Sequence, residues 1–136
     1  MPASRRRFLR NAASASLALP AFAQSAVSPN DRVQIATIGI GGMGFGDTRN
    51  ALKDPGVELV AVCDLYTGRL ERAKELFGEG IATTRDYREI LARPDVDAVI
   101  IATPDHWHVP IAIDALRAKK DVYLQKPMIH KISEGK

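Results

Sequence analysis

Apolar and polar positions change period repeatedly along this chain. From Val33 onward, short continuous apolar runs alternate with stretches in which apolar residues recur every three or four positions. The first kind predicts buried strands and the second amphipathic helices. Strands are predicted near 33–38, 57–63, 97–102 and 121–124, with a short one around 81–83. Helices are predicted near 42–53, 67–77, 86–92 and 108–119, and another begins around 132. Asp54-Pro55-Gly56 and Arg93-Pro94-Asp95 are turns that stop helices before strands. Ala98-Val99-Ile100-Ile101-Ala102 has no polar alternation, which suits a parallel strand covered on both faces. Strand–helix alternation with short connections therefore predicts an α/β fold built on an open, doubly wound parallel sheet.

Residues before Val33 follow another pattern. Ser4 to Arg10 reads Ser-Arg-Arg-Arg-Phe-Leu-Arg, and a modestly apolar, Ala- and Ser-rich run ends in Ala21-Phe22-Ala23. This resembles a twin-arginine export signal with a small-x-small cleavage site. A basic disordered arm or a mitochondrial-type presequence would need neither the Phe-Leu pair nor the small-residue site. The run is shorter and less apolar than the roughly 20 residues of a membrane span. The expected organisation is a signal peptide at 1–23, a polar linker at 24–31 and one domain at 32–136, with a periplasmic or secreted location and the twin-arginine machinery as a partner.

The signal also changes the meaning of the charge. The 136 residues sum to +3, but the first 23 hold four arginines and no acid, which leaves the remainder at −1. The pI of 9.2 thus reflects the export arm and gives no ground for nucleic-acid binding. Lys119-Lys120 falls at a predicted helix C-terminus, where cations suit the dipole. Cys63 is the single cysteine, so no internal disulfide forms, and its apolar strand makes it a small buried hydrophobe. His106 and His108 have a spacing that metal ligands can use, but no third ligand is evident, so no metal site is expected.

The chemistry-bearing stretch is Ile38-Gly39-Ile40-Gly41-Gly42-Met43-Gly44, a Gly-x-Gly-x-x-Gly between a predicted strand and a predicted helix. Gly39 permits the tight turn, Gly41 lets backbone approach a pyrophosphate, and Gly44 lets the helix pack close to the strand. Gly42 and Met43 lie in the same turn, at a helix start that offers unpaired N–H groups and about half a positive charge. Asp64 ends the second strand, 20 residues after Gly44, where a carboxylate can accept hydrogen bonds from a ribose diol. The alternative for Asp64 is a plain helix N-cap. A carboxylate there repels a 2′-phosphate and favours NAD over NADP, while Arg69, one helical turn on, could reach such a phosphate.

Two later motifs follow predicted strands: Thr103-Pro104-Asp105-His106-Trp107-His108 and Gln125-Lys126-Pro127. With the glycine turn they make residues from about Arg32 onward resemble the N-terminal half of the Gfo/Idh/MocA oxidoreductase family. The resemblance implies a Rossmann-type domain followed by an α+β substrate domain, so the chain reads as truncated, and it implies homo-oligomers at full length. It implies that Thr103 and Pro104 run along the dinucleotide, that His108 faces the cofactor region, and that Lys126 sits at the cofactor–substrate junction in a catalytic role. Two departures stand out. The family often has asparagine at Asp105, and usually glutamate at Gln125.

Each position also has a plainer reading. His106 and His108 can simply open a helix, Lys126 can be a solvated lysine, and Trp107 can pack or stack on a sugar face. The leading functional expectation is a dinucleotide-dependent oxidoreductase acting on a sugar, polyol or related carbohydrate, with its cofactor loaded before export and tightly held. The first alternative is a redox-neutral, NAD-dependent glycoside hydrolase or lyase of the same family. The second is a non-catalytic dinucleotide-binding fragment, since the 136 residues alone are expected to show no turnover.

Overall fold

The computed structural model describes residues 31–135. The export signal expected at 1–23, and all but the last residue of the linker expected at 24–31, lie outside the described residues. Five strands, β1 (Val33–Ile38), β2 (Val57–Cys63), β3 (Ala82–Thr84), β4 (Ala98–Ile101) and β5 (Asp121–Leu124), form one sheet in the order β3-β2-β1-β4-β5. Every pair is parallel. Four helices connect them: α1 (Gly42–Ala51), α2 (Thr67–Phe77), α3 (Tyr87–Leu91) and α4 (His108–Arg117). The chain moves outward one way from β1 through β2 to β3, then returns to pair β4 against the other side of β1. That reversal opens a crevice beyond the carboxyl ends of β1 and β4, where ligands of such sheets bind.

Alternation along the strands builds two cores. Ala36, Ile38, Ala61, Cys63, Val99 and Ile101 face one side, against Tyr87, Ile90, Ile111 and Ala115 of α3 and α4. Ile35, Leu59, Val62 and Ile100 face the other, with Leu70 and Ala73 of α2. In β2 the neighbours Val60 and Ala61 both turn to the first side, which strict alternation forbids. A register shift explains it: Ile35 pairs with Leu59, but Ala36 pairs with Ala61, so one residue of β2 is skipped. A polar chain pins α1 to the sheet inside this packing. Thr48 donates to the carbonyl of Gly44 at 2.7 Å, so its oxygen is left to accept from Thr37, also at 2.7 Å. Both threonines are fully buried.

Element ends differ from the sequence expectation where local hydrogen bonds outcompete periodicity. Helix α1 stops at Ala51 because Lys53 and Asp54 turn back onto Asn50 and Ala51, and Asp54 Oδ1 accepts from Gly56 N at 2.8 Å. Helix α4 stops at Arg117 in a Schellman arrangement: Lys119 N donates to Leu116 O, Lys120 N to Ala115 O, and Lys119 takes φ +59°. Lys120 does not merely balance the helix dipole. Its Nζ donates to Arg93 O at 2.7 Å and Val96 O at 2.8 Å, tying the turn before β4 to the start of β5. The helix expected around 132 is a 3-10 turn, Ile132–Gly135, whose Glu134 carboxylate accepts from the N–H groups of His130 and Lys131.

Candidate cofactor site and active-site loops

Four segments carrying the sequence-nominated residues follow four neighbouring strands and so emerge at one end of the sheet: Gly39–Gly44 after β1, Asp64 after β2, Thr103–His108 after β4, and Gln125–Pro127 after β5. The glycine turn is dictated by backbone crowding. Gly39 has φ +90°, and a Cβ there would come within 2.7 Å of Ala102 O. A Cβ on Gly44 would strike the carbonyl of Gly39. These two glycines let α1 start against β1 and β4. At Gly41 the nearest atom to an added Cβ is Arg69 Nη1, at 3.3 Å, and Gly42 faces open space. Helix α1 has Gly41 as its N-cap, no capping side chain and no acid in its first turn. Its leading N–H groups therefore have no side-chain partner, and nothing there repels an anion.

Asp64 is buried, 7 % exposed, at the end of β2. Its Oδ1 accepts from Tyr66 N at 2.9 Å, and its Oδ2 lies 3.4 Å from Arg69 Nη1. The carboxylate thus braces the turn into α2, but Tyr66, not Asp64, holds the N-cap position of that helix. Each carboxylate oxygen can take a second donor, so the role expected toward a ribose diol remains available. Arg69 is held between Asp64, the Tyr66 ring at 4.9 Å and the turn at Gly41. The cleft between the glycine turn and α2 is lined by Gly41, Gly42, Phe45, Arg69 and also Arg72. Sequence reading did not single out Arg72; its one available signal was its place one helical step beyond Arg69.

The threonine–proline loop holds two contrasting groups. Thr103 Oγ1 is buried without a hydrogen-bond partner. An orphaned hydroxyl at the mouth of the crevice fits a site completed by a polar ligand, as the crowded glycine turn fits a diphosphate. Met43 and Pro104 are exposed beside these two segments. His108 departs from the expectation. It is 1 % exposed, its Nε2 lies 2.8 Å from Thr103 O, and its Nδ1 lies 2.7 Å from Pro127 O. Rather than presenting its ring to a ligand, it clasps the two later loops together. Asp105, His106 and Trp107 form an exposed 3-10 turn, with the indole 44 % exposed and tilted against His106. Trp107 is therefore not a core residue.

Lys126 is exposed, and its bond to Pro127 is cis. Gln125 continues the ladder by donating its N–H to Ile101 O at 3.0 Å, and its side chain bonds Asp47 of α1. Asp47 was invisible to sequence reading because its partner is 78 positions away. Cys63 is 5 % exposed in the first core, and burial, helped by the neighbouring Asp64 charge, pushes its thiol up to about 12. Such a thiol is inert at neutral pH. Among the described residues no three His, Cys, Asp or Glu side chains gather as metal ligands.

A family profile described as "Oxidoreductase family, NAD-binding Rossmann fold", Gfo/Idh/MocA, matches residues 33–136. A glycosyl hydrolase family 109 protein from Shewanella baltica is 32% identical over 159 aligned positions, covering 96% of this chain and 35% of the relative. An alpha-N-acetylgalactosaminidase from Shewanella oneidensis is 36% identical, covering 75% of this chain and 24% of that protein. The chain therefore spans about a third or less of the length of these relatives. Among solved structures, scyllo-inositol dehydrogenase from Lactobacillus casei with bound NAD(H) and scyllo-inositol superposes with TM-score 0.71 at 28% identity, over 76% of this chain and 30% of that one. A 3-ketoreductase from Actinomadura kijaniata in complex with NADP superposes with TM-score 0.68 at 27% identity, over 76% and 31%. A doubly wound sheet with a glycine-built cradle at its switch point, a match along nearly all of the described residues, and relatives that hold NAD or NADP together place this chain in the Gfo/Idh/MocA family, as the N-terminal, NAD(P)-binding Rossmann part of a longer family fold.

Proposed function

We propose that the complete gene product is an NAD(P)-dependent enzyme that cleaves a glycosidic bond without net oxidation. Sequence alone favours net oxidation of a sugar or polyol over redox-neutral hydrolysis or elimination. The observation that reverses this order is the identity of 32–36% to glycosyl hydrolase family 109 proteins, one of them named an alpha-N-acetylgalactosaminidase. When bound, the dinucleotide supplies a reversible hydride acceptor, so that transient oxidation of a ring carbinol acidifies the neighbouring C–H and the glycosidic oxygen can leave.

The residues of this chain take the following parts in that reading. Gly41, Gly42, Met43 and Gly44 hold the diphosphate through backbone N–H groups at the start of α1, Gly39, whose own N–H donates to Cys63 O, shapes the turn beneath it, and Asp64 accepts from the adenosine ribose. The free hydroxyl of Thr103 donates to the dinucleotide, with Pro104 flanking it. His108 supports them by fixing the loop from behind. Lys126, exposed beyond β5, handles the proton of the carbinol hydroxyl. The exposed indole of Trp107 offers a face for the saccharide.

The test is a set of chromogenic glycosides incubated with the complete protein and NAD. Release of aglycone with no accumulation of NADH supports the proposal; stoichiometric NADH with intact glycoside refutes it in favour of a dehydrogenase. Fold similarity to scyllo-inositol dehydrogenase is the observation that favours that second reading. Lys126→Met should lower turnover at least a hundredfold while NAD stays bound, and unchanged turnover removes Lys126 from the mechanism. Export by the twin-arginine route belongs to the same proposal: residues 1–31 fused to a reporter should reach the periplasm only while Arg5, Arg6 and Arg7 are intact.

A further inference from the structure

Gln125 stands where the family motif usually has glutamate, and its contacts show what accompanies the change. Its Nε2 donates to Asp47 Oδ2 at 2.7 Å, while its Oε1 accepts from Lys126 N at 3.1 Å. The orientation is forced. An ionised carboxylate only accepts, so the amide nitrogen must face Asp47 and the amide oxygen must turn to the lysine backbone. A glutamate at 125 could accept from Lys126 N but could not donate to Asp47, and would set two carboxylates against each other. Asp47 and Gln125 are therefore a matched pair. Among the described residues the Asp47 carboxylate has no other hydrogen-bond or ion-pair partner.

We infer that Asp47 is a positioning residue for Lys126, acting through Gln125. It lies on α1, the helix whose N-terminus borders the glycine turn, and it joins that helix to the loop beyond β5 by a charge-assisted hydrogen bond. His108 holds the same loop from the other side, at Pro127 O. Lys126 is thus framed by one anchor before it and one after it, and only its side chain is free. Asp47 thus supplies a carboxylate on α1 that is linked to the lysine backbone through the Gln125 amide. This inference rests on the reading of Lys126 as a residue of the reacting centre.

A swap of donor and acceptor tests it in the complete protein. Gln125→Glu should lower kcat about tenfold or more, leave KM and the NAD dissociation constant within about threefold, and lower Tm. Asp47→Asn combined with Gln125→Glu restores one donor facing one acceptor, and should recover kcat to within about threefold of wild type. Asp47→Ala, which removes the anchor without opposing two charges, should resemble Gln125→Glu in kcat. A Gln125→Glu enzyme with wild-type kcat overturns the positioning role, as does a swapped enzyme no better than Gln125→Glu. Wild-type protein that does not bind NAD would refute the dinucleotide reading instead, and that is visible in the first titration, before any variant is compared.

Discussion

The two halves of the candidate site are held by different physics. The half around β1, α1 and β2 is shaped by what backbone cannot tolerate: Gly39 and Gly44 exist where a Cβ would collide with Ala102 O or Gly39 O, within a few residues of chain. The half beyond β4 and β5 is shaped by hydrogen bonds reaching across sequence, from His108 to Thr103 and Pro127 and from Gln125 to Asp47. A sterically built cradle has one shape and accepts almost no substitution. A bonded pair of loops can be retuned by exchanging partners. On the function proposed above, the first half would meet the diphosphate and adenosine ribose and the second the reacting end, a division that would suit the chemistry.

The sharpest way to break this contrast is Gly44→Ala. The added methyl meets the carbonyl of Gly39 and lies 3.2 Å from Ala102 Cβ, with buried backbone on one side and a fixed helix on the other. We expect a loss of more than about 4 kcal/mol, which would remove most of the stability of a domain near the low end of the ordinary range of about 5–15 kcal/mol. A far-ultraviolet melt showing a cooperative transition near wild type would show that the glycine turn is not sterically fixed.

His108→Ala should act more gently and elsewhere. Two carbonyls lose their partner, at about 1–3 kcal/mol each when left unsatisfied, so a total near 3 kcal/mol is expected after partial relaxation. The domain should still fold. Hydrogen exchange should rise in residues 103–108 and 125–128, while residues 39–48 stay protected. Uniform exchange changes across both halves would dissolve the distinction between them.

The contrast also explains what could be read from the sequence. Strand β1, the glycine turn, β2 and Asp64 were placed correctly because each is specified by neighbours: an apolar run, a turn that needs glycine, a carboxylate at a strand end. The parallel sheet followed from uninterrupted apolar strands such as Val99-Ile100-Ile101. The loop motif predicts a His108 that faces a ligand, whereas the ring points inward, because nothing local reveals that Pro127 O lies behind it. Sequence suggests only a dipole partner in Lys120 for the same reason; its acceptors, Arg93 O and Val96 O, are more than 20 positions away. Register slippage at Val60 was equally hidden, since every residue in that run is apolar or neutral to burial except Glu58.

Cofactor choice sharpens the first half alone. Asp64 argues for a free diol, but Arg69 neutralises it at 3.4 Å and shares its cleft with Arg72. Arg69→Ala should weaken NADP about tenfold, or roughly 1.4 kcal/mol, and change NAD affinity little. Asp64→Asn should do the reverse, weakening NAD by a similar factor. Fluorescence titration with both reduced cofactors measures all four values. Equal losses for NAD and NADP in Arg69→Ala would mean that the guanidinium contacts the diphosphate, not the 2′ position.

The smallest effect is expected at Cys63, which sits under the glycine half and takes part in no chemistry. Its thiol, pushed up from 9.0 to about 12 chiefly by burial and then by the Asp64 charge, keeps its proton in the folded chain across a range where the unfolded chain loses it. Unfolding therefore releases a proton above pH 9, and stability must fall as pH rises through the window from about 9 to about 12. By pH 10 the loss is on the order of 1 kcal/mol. Tyr87 contributes in the same direction at higher pH, because burial and its hydrogen bond to Asp114 raise its phenol too. Comparing urea midpoints at pH 8 and pH 10 for wild type and Cys63→Ala separates the two. The variant starts lower, from lost packing, but should fall less between the two pH values. A slope identical in both proteins would place Cys63 in contact with water and would mean that the core beneath the cofactor turn is looser than its packing implies.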